Sequence, residues 1–232
     1  MIVPGRHYPD IVGEHPKSFF LTAEIHEYIV EHGMPPDDVQ RWLIAETLEK
    51  VPDFSLMQIA PEQGAFMTVL TRLVGARRAV EVGTFTGYSA LCIARGLLAD
   101  GRLLCCDISE EWTAIAREAW TRAGVTDRIE LRLAPAIETL RALPLDESID
   151  LAFIDADKQG YVGYYEELLA RLRPNGVILV DNTLWRGSVV DDSITDEDTR
   201  AIRAFNDAVA ADERVDSVVV AVSDGLTILR KR

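Results

Sequence analysis

Hydrophobic positions along this chain recur in two rhythms. From about residue 79 onward, short apolar runs of strand length alternate with segments patterned at the helical period. The runs over 79–82, 102–107, 129–133, 149–154, 177–181, 215–222 and 226–230 predict seven strands. Among the intervening helices the clearest carries Trp112, Ile115, Ala116, Ala119 and Trp120 at i, i+3, i+4, i+7 and i+8, after a Ser109 cap and before Gly124. Regular alternation of this kind predicts a doubly wound α/β sheet. The last two strands depart from it. Only Ser223-Asp224-Gly225 separates them, too short for a helical crossover, so they must pair antiparallel. The expected fold is a Rossmann-like, doubly wound, seven-stranded and mostly parallel sheet with an antiparallel C-terminal hairpin.

Ahead of the sheet the pattern changes. Up to about Gly13 there is no periodicity. Thr22 then caps a helix through Glu31, Pro35-Pro36-Asp37 interrupts, and a second helix runs to about Lys50 before Pro52. From Pro61 a helix with Phe66, Leu70 and Leu73 on one face leads into the first strand. The reading is one domain over 1–232: a mobile arm (1–20), a helical cap (21–60) and an α/β core (61–232).

Composition narrows the chemistry. At 232 residues and 48% hydrophobic content the chain can bury a full core. Its net charge of −14 repels polyanions, so no nucleic-acid partner is expected. No apolar run approaches the ~20 residues of a membrane helix, which favours a cytoplasmic protein without membrane contact. The three cysteines lack metal-ligand spacing and read as buried thiols in a reducing compartment. All four histidines fall within the first 32 residues, so a Ser-His-Asp triad or a histidine zinc site in the core would have to borrow its imidazole from there.

Two clusters carry the candidate chemistry. The first is Val80-Glu81-Val82-Gly83-Thr84-Phe85-Thr86-Gly87-Tyr88-Ser89, a strand running through a glycine turn into a helix. A dinucleotide fingerprint needs glycine at positions 83, 85 and 88, where this chain has Gly, Phe and Tyr, so NAD and FAD are disfavoured. Glu81 suits a ligand bearing hydroxyls and a positive charge, such as S-adenosylmethionine. Asp107, ending the neighbouring strand, is placed to accept from both ribose hydroxyls, and the small Ala136 would flank the adenine. The second cluster pairs Phe153-Ile154-Asp155-Ala156-Asp157-Lys158 with Val180-Asp181-Asn182-Thr183-Leu184-Trp185. Asp155, Asp181 and Asn182 converge there as three hard oxygen donors, which suits Mg²⁺ and not zinc.

The E-x-G-x-x-x-G run resembles the class I methyltransferases. D-A-D-K-x-x-Y followed by D-N-T-L-W-x-G-x-V narrows the resemblance to the cation-dependent O-methyltransferases of the caffeoyl-CoA and catechol type, and the similarity runs from about Ser55 to the C-terminus. It implies that Glu81, Gly83, Ser89, Asp107, Ala136 and Asp157 contact S-adenosylmethionine, with Ile59 contributing backbone. It further implies that Asp155, Asp181 and Asn182 hold the metal, and that Lys158 is the base, with Asp155 beside it at the reacting centre. Trp185 and Arg186 would meet the acceptor, Lys17 resembles an N-terminal lysine that reaches the acyl-donor substrate in plant members, and a homodimer is expected. Two departures bear on the acceptor. Arg186 stands where plant members have Asn, and the acidic stretch 190–199 lacks their basic, tyrosine-bearing insertion. The acceptor read from this is a small vicinal-diol aromatic, catechol-like, with an acidic substituent facing Arg186. The alternatives are a hydroxylated tRNA base, which the acidity opposes, and a caffeoyl-CoA-like thioester.

Overall fold

The computed structural model describes residues 22–232, so the expected arm and Lys17 lie outside the described residues. Seven strands form one sheet: β1 (Arg78–Val82), β2 (Arg102–Asp107), β3 (Ile129–Leu133), β4 (Ile149–Ile154), β5 (Leu172–Val180), β6 (Val215–Val220) and β7 (Leu226–Lys231). Their spatial order is β3-β2-β1-β4-β5-β7-β6. The first five pair in parallel, and β7 runs antiparallel to both β5 and β6. Chain order therefore reverses between β1 and β4. In open α/β sheets such a reversal leaves a crevice at the strands' carboxyl ends, where ligands bind.

The helices are α1 (Ala23–His32), α2 (Asp38–Lys50), α3 (Pro61–Val74), α4 (Tyr88–Gly96), α5 (Glu110–Arg122), α6 (Ala136–Ala142), α7 (Tyr161–Arg171) and α8 (Glu197–Ala210). Their starts follow local chemistry. The Thr22 hydroxyl accepts from the Ile25 N–H, Asp37 and Gln40 form a reciprocal capping box on α2, and Ser109 accepts from the Trp112 N–H. Apolar layers cover both faces of the sheet. One gathers Leu91, Ile93, Leu103 and Leu179, the other Val82, Ile154, Leu168 and Phe205. Cys92, Cys105 and Cys106 are free and buried, as expected. No helix among the described residues is long and apolar enough to cross a membrane.

Three local expectations are corrected. β5 begins at Leu172, five residues before the expected 177, because a register irregularity opposite Ile149–Leu151 absorbs the Pro174–Gly176 interruption. β6 ends at Val220, so the hairpin loop spans 221–225. On α3 the stripe of Phe66, Leu70 and Leu73 is only partly inward, with Phe66 and Leu70 half-buried against the core. Leu73 is 78% exposed, while Gln63, Gly64, Met67, Thr68 and Thr71 are buried. The reason is close packing on α4. A Cβ on Gly64 would lie 2.7 Å from Tyr88 Cε1 and 2.8 Å from Cys92 Sγ, and the Thr68 hydroxyl donates to Cys92 O at 3.0 Å.

Candidate active site

Backbone geometry opens the site. Gly83 adopts φ +90°, and a Cβ there would lie 1.9 Å from Asp155 O, so only glycine lets the ends of β1 and β4 approach this closely. The ladder continues past the strands: Gly83 N–H donates to Cys106 O (2.9 Å), Asp155 N–H to Val82 O (2.8 Å) and Asp181 N–H to Ile154 O (3.0 Å). These bonds bring the four strand ends to one edge. A cleft of about 1320 Å³ opens there, walled by Ile59, Gly83, Ser89, Asp107, Ala136 and Asp157 among others.

Asp107 shapes its own neighbourhood. Its Oδ2 accepts from the Thr84 and Phe85 N–H groups at 2.9 and 2.8 Å, and its Oδ1 accepts from the Ser109 N–H at 2.8 Å. A carboxylate offers about four lone-pair sites, so three backbone bonds leave roughly one directed at a ligand. Beside it, Trp112 packs edge-on against Phe85, with ring centroids 5.1 Å apart. Asp157 is exposed on the cleft wall and accepts from the Tyr164 hydroxyl at 2.6 Å.

The second cluster assembles at the ends of β4 and β5. Lys158, only 8% exposed, turns its Nζ onto Asn182 Oδ1 (2.7 Å) and Asp155 Oδ1 (3.2 Å), and also donates to the Tyr161 hydroxyl. Tyr161 in turn donates to Asp181 O at 3.1 Å. Asp181 is 3% exposed, and burial together with the neighbouring Asp155 charge pushes its carboxyl well above the usual range. Two of the three expected metal donors thus already share one cation, and the third is a buried carboxyl that a positive charge would relieve. Among the described residues no three His, Cys, Asp or Glu side chains gather for a metal. The trio consists of two carboxylates and an amide, all hard oxygen donors, and it fits a small divalent cation.

Past Asn182 (φ +57°) the chain turns through Trp185, Arg186 and Gly187 at φ +46°, +51° and +85°. Left-handed backbone at a non-glycine residue costs of order 1–3 kcal/mol and persists only where neighbours impose it. The terminal hairpin does so. Thr183 N–H donates to Gly225 O and Leu184 N–H to Asp224 O, both at 3.0 Å, while the Arg186 N–H donates to Asp224 Oδ1 at 2.5 Å. Trp185, Arg186 and Ser188 consequently line the cleft opposite the glycine turn.

This geometry is shared with known proteins. Residues 36–232 match the family described as "O-methyltransferase". Caffeoyl-CoA O-methyltransferase 2 of Zea mays is 36% identical over 93% of this chain and 85% of its own length. Probable caffeoyl-CoA O-methyltransferase 2 of Dictyostelium discoideum is 37% identical over 88% and 90%. The solved O-methyltransferase of Bacillus cereus in complex with SAH superposes with a TM-score of 0.83 at 31% identity, covering 90% of this chain and 97% of that one. The chain belongs to the O-methyltransferase family. It is an S-adenosylmethionine-dependent O-methyltransferase of the caffeoyl-CoA type that its motifs resemble.

Within this O-methyltransferase the residues singled out from sequence fall in three groups. Asp155, Lys158, Asp181 and Asn182 meet in one cluster, while Ile59, Gly83, Ser89, Asp107, Ala136, Asp157, Trp185 and Arg186 stand on the cleft wall. Glu81 is set apart, fully buried behind that wall, with one oxygen accepting from the Cys105 thiol at 3.4 Å and the other without a protein partner. Burial pushes its carboxyl up to about 8, against the pull of Ser89, Cys105 and Thr84. Sequence reasoning gave no role to Thr47, nor to Gln58 and Thr86, although the last two lie within motifs that carry the resemblance. The Gln58 amide donates to both threonine hydroxyls, at 3.0 and 3.1 Å, and ties the helical cap to the glycine turn. It also missed Tyr161 and Asp224, of which only Tyr161 had a signal, as the last position of D-A-D-K-x-x-Y.

Proposed function

We propose that this O-methyltransferase moves the methyl group of S-adenosylmethionine to one hydroxyl of a catechol-like vicinal diol, with Mg²⁺ or a similar cation held by Asp155, Asp181 and Asn182. The observation that carries this reading is the convergence of Lys158, Asp155 and Asn182 beside the buried Asp181 carboxyl. A phenol with a pKa of about 10 is only ~0.3% ionised near pH 7.5, which places ~3.4 kcal/mol in the way of attack. A divalent cation at the trio would lower that cost by stabilising the ionised oxygen. Lys158 Nζ stands at this centre and, in its neutral amine form, would take the proton from the hydroxyl nearest the methyl group. Trp185 forms one side of the acceptor end, with the Lys158 ammonium 5.6 Å from its ring centroid. Arg186, exposed at the rim, meets an acidic substituent. On the cofactor side Asp107 and the Gly83 turn bind and orient, which suits a displacement governed by positioning.

A caffeoyl-CoA-like thioester is the second reading, favoured by the names of the maize and Dictyostelium relatives. Methyl transfer to a panel of neutral catechols, carboxylate-bearing catechols and caffeoyl-CoA separates the two. The first reading expects kcat/KM to be highest for the carboxylate-bearing catechols, and preference for the thioester would replace it with the second. The assembly is read as a homodimer in the cytoplasm. Support comes from the outward apolar residues Val69 and Leu73 of α3 and from the three reduced, buried thiols. Light scattering in solution should give twice the 25.8 kDa chain mass.

A further inference from the structure

The guanidinium of Arg203, midway along α8, serves four backbone carbonyls of one loop. Its Nε donates to Val189 O (3.1 Å), Nη1 to Ile194 O (2.9 Å), and Nη2 to Ser188 O (2.7 Å) and Asp191 O. These oxygens belong to the irregular segment that follows the left-handed turn at Arg186 and Gly187. Carbonyls outside a regular ladder still need donors, and a planar guanidinium is the side chain able to supply several at fixed angles. The same helix makes two more ties to the acceptor end. Gln159, next to Lys158, donates to Asp198 Oδ1 at 2.8 Å, and Asn206 Nδ2 donates to Thr183 O at 2.8 Å. Through these contacts α8 grips the segment after β4, the segment after β5 and the loop that leads from it into α8.

We infer that Arg203 is a positioning residue for the acceptor: by fastening 188–194 it fixes where Trp185, Arg186 and Ser188 stand. It touches neither the glycine turn nor the Asp155–Lys158 cluster, so its influence falls on acceptor affinity and selectivity. The inference rests on the reading that the acceptor meets the loop after β5.

The test compares the full-length wild type with Arg203→Met and the milder Arg203→Gln, which keeps an amide donor and carries the comparison if the methionine variant does not fold. Hydrogen exchange over 185–194 should accelerate, and KM for a catechol acceptor should rise by roughly tenfold or more in Arg203→Met and less in Arg203→Gln. The kcat and the dissociation constant of S-adenosylmethionine should stay within about threefold. Unchanged exchange in the variants overturns the fastening role. Faster exchange with unchanged KM, while Trp185→Ala raises KM, overturns the inference and leaves the acceptor reading standing. If Trp185→Ala is silent as well, the acceptor reading falls with it.

Discussion

At the scale of single residues, Glu81 stands furthest from its ordinary chemistry. The unfolded chain ionises it near 4.5, whereas the folded protein holds its proton up to about 8, because burial disfavours the carboxylate. Between those values the folded state binds more protons than the unfolded one. Its contribution is therefore fully present below pH 4.5 and falls by about 1.4 kcal/mol per pH unit until about pH 8. Glu81→Gln removes that slope. Melting temperatures of the ligand-free proteins between pH 5 and 8 should show the variant gaining on the wild type as pH rises, and a constant gap would mean that Glu81 is ionised throughout. Asp107 makes a different prediction. Its three backbone bonds organise the turn that faces the cofactor, so Asp107→Ala should weaken S-adenosylmethionine by one to two decades, since charge-assisted bonds contribute about 1.5–3 kcal/mol each. Titration calorimetry giving an unchanged dissociation constant would reduce Asp107 to a support for α5.

At the scale of elements, the antiparallel hairpin is part of the site. Gly225 adopts φ +88°, and a Cβ on it would lie 2.4 Å from Leu184 Cγ and 2.7 Å from Leu184 N. Gly225→Ala should therefore push the hairpin away from the Trp185–Arg186 turn, raising acceptor KM several-fold and leaving cofactor affinity near wild type. Equal losses on both sides would point to general unfolding instead. The hairpin itself was legible, because a three-residue polar interval excludes a crossover, and so were β1, β2 and β4, whose apolar runs reach Gly83, Asp107 and Asp155. The most buried face of α3 was not legible, since close approach to α4 selects Gly64, Thr68 and Thr71, leaving Phe66 and Leu70 half-buried and Leu73 outside. The early start of β5 was hidden because Pro174 and Gly176 argue against a strand. Within the site, Asp155, Lys158, Asp181 and Asn182 could be read from two motifs that end adjacent strands. Arg203 could not, because its partners are backbone carbonyls and any sequence can supply those.

At the scale of the whole molecule, charge governs the site. The chain carries −14 overall, and at the cleft's centre one lysine serves the Asp155 carboxylate and the Asn182 amide oxygen while the buried Asp181 carboxyl beside them has no cation of its own among the described residues. That arrangement is costly without a further positive charge and favourable with one. The proposed enzyme should accordingly depend on a divalent cation at the strand ends. The measurement that tests this most directly is the rate of methyl transfer from S-adenosylmethionine to a catechol, taken with EDTA present and again after excess Mg²⁺ is added. Asp181→Ala and Lys158→Met are assayed alongside the wild type. EDTA should lower the wild-type rate by about two decades or more and Mg²⁺ should restore it. Mg²⁺ should not rescue Asp181→Ala, and Lys158→Met should lose about two decades of kcat with Mg²⁺ present while its cofactor affinity holds. Full wild-type turnover in EDTA would contradict the account.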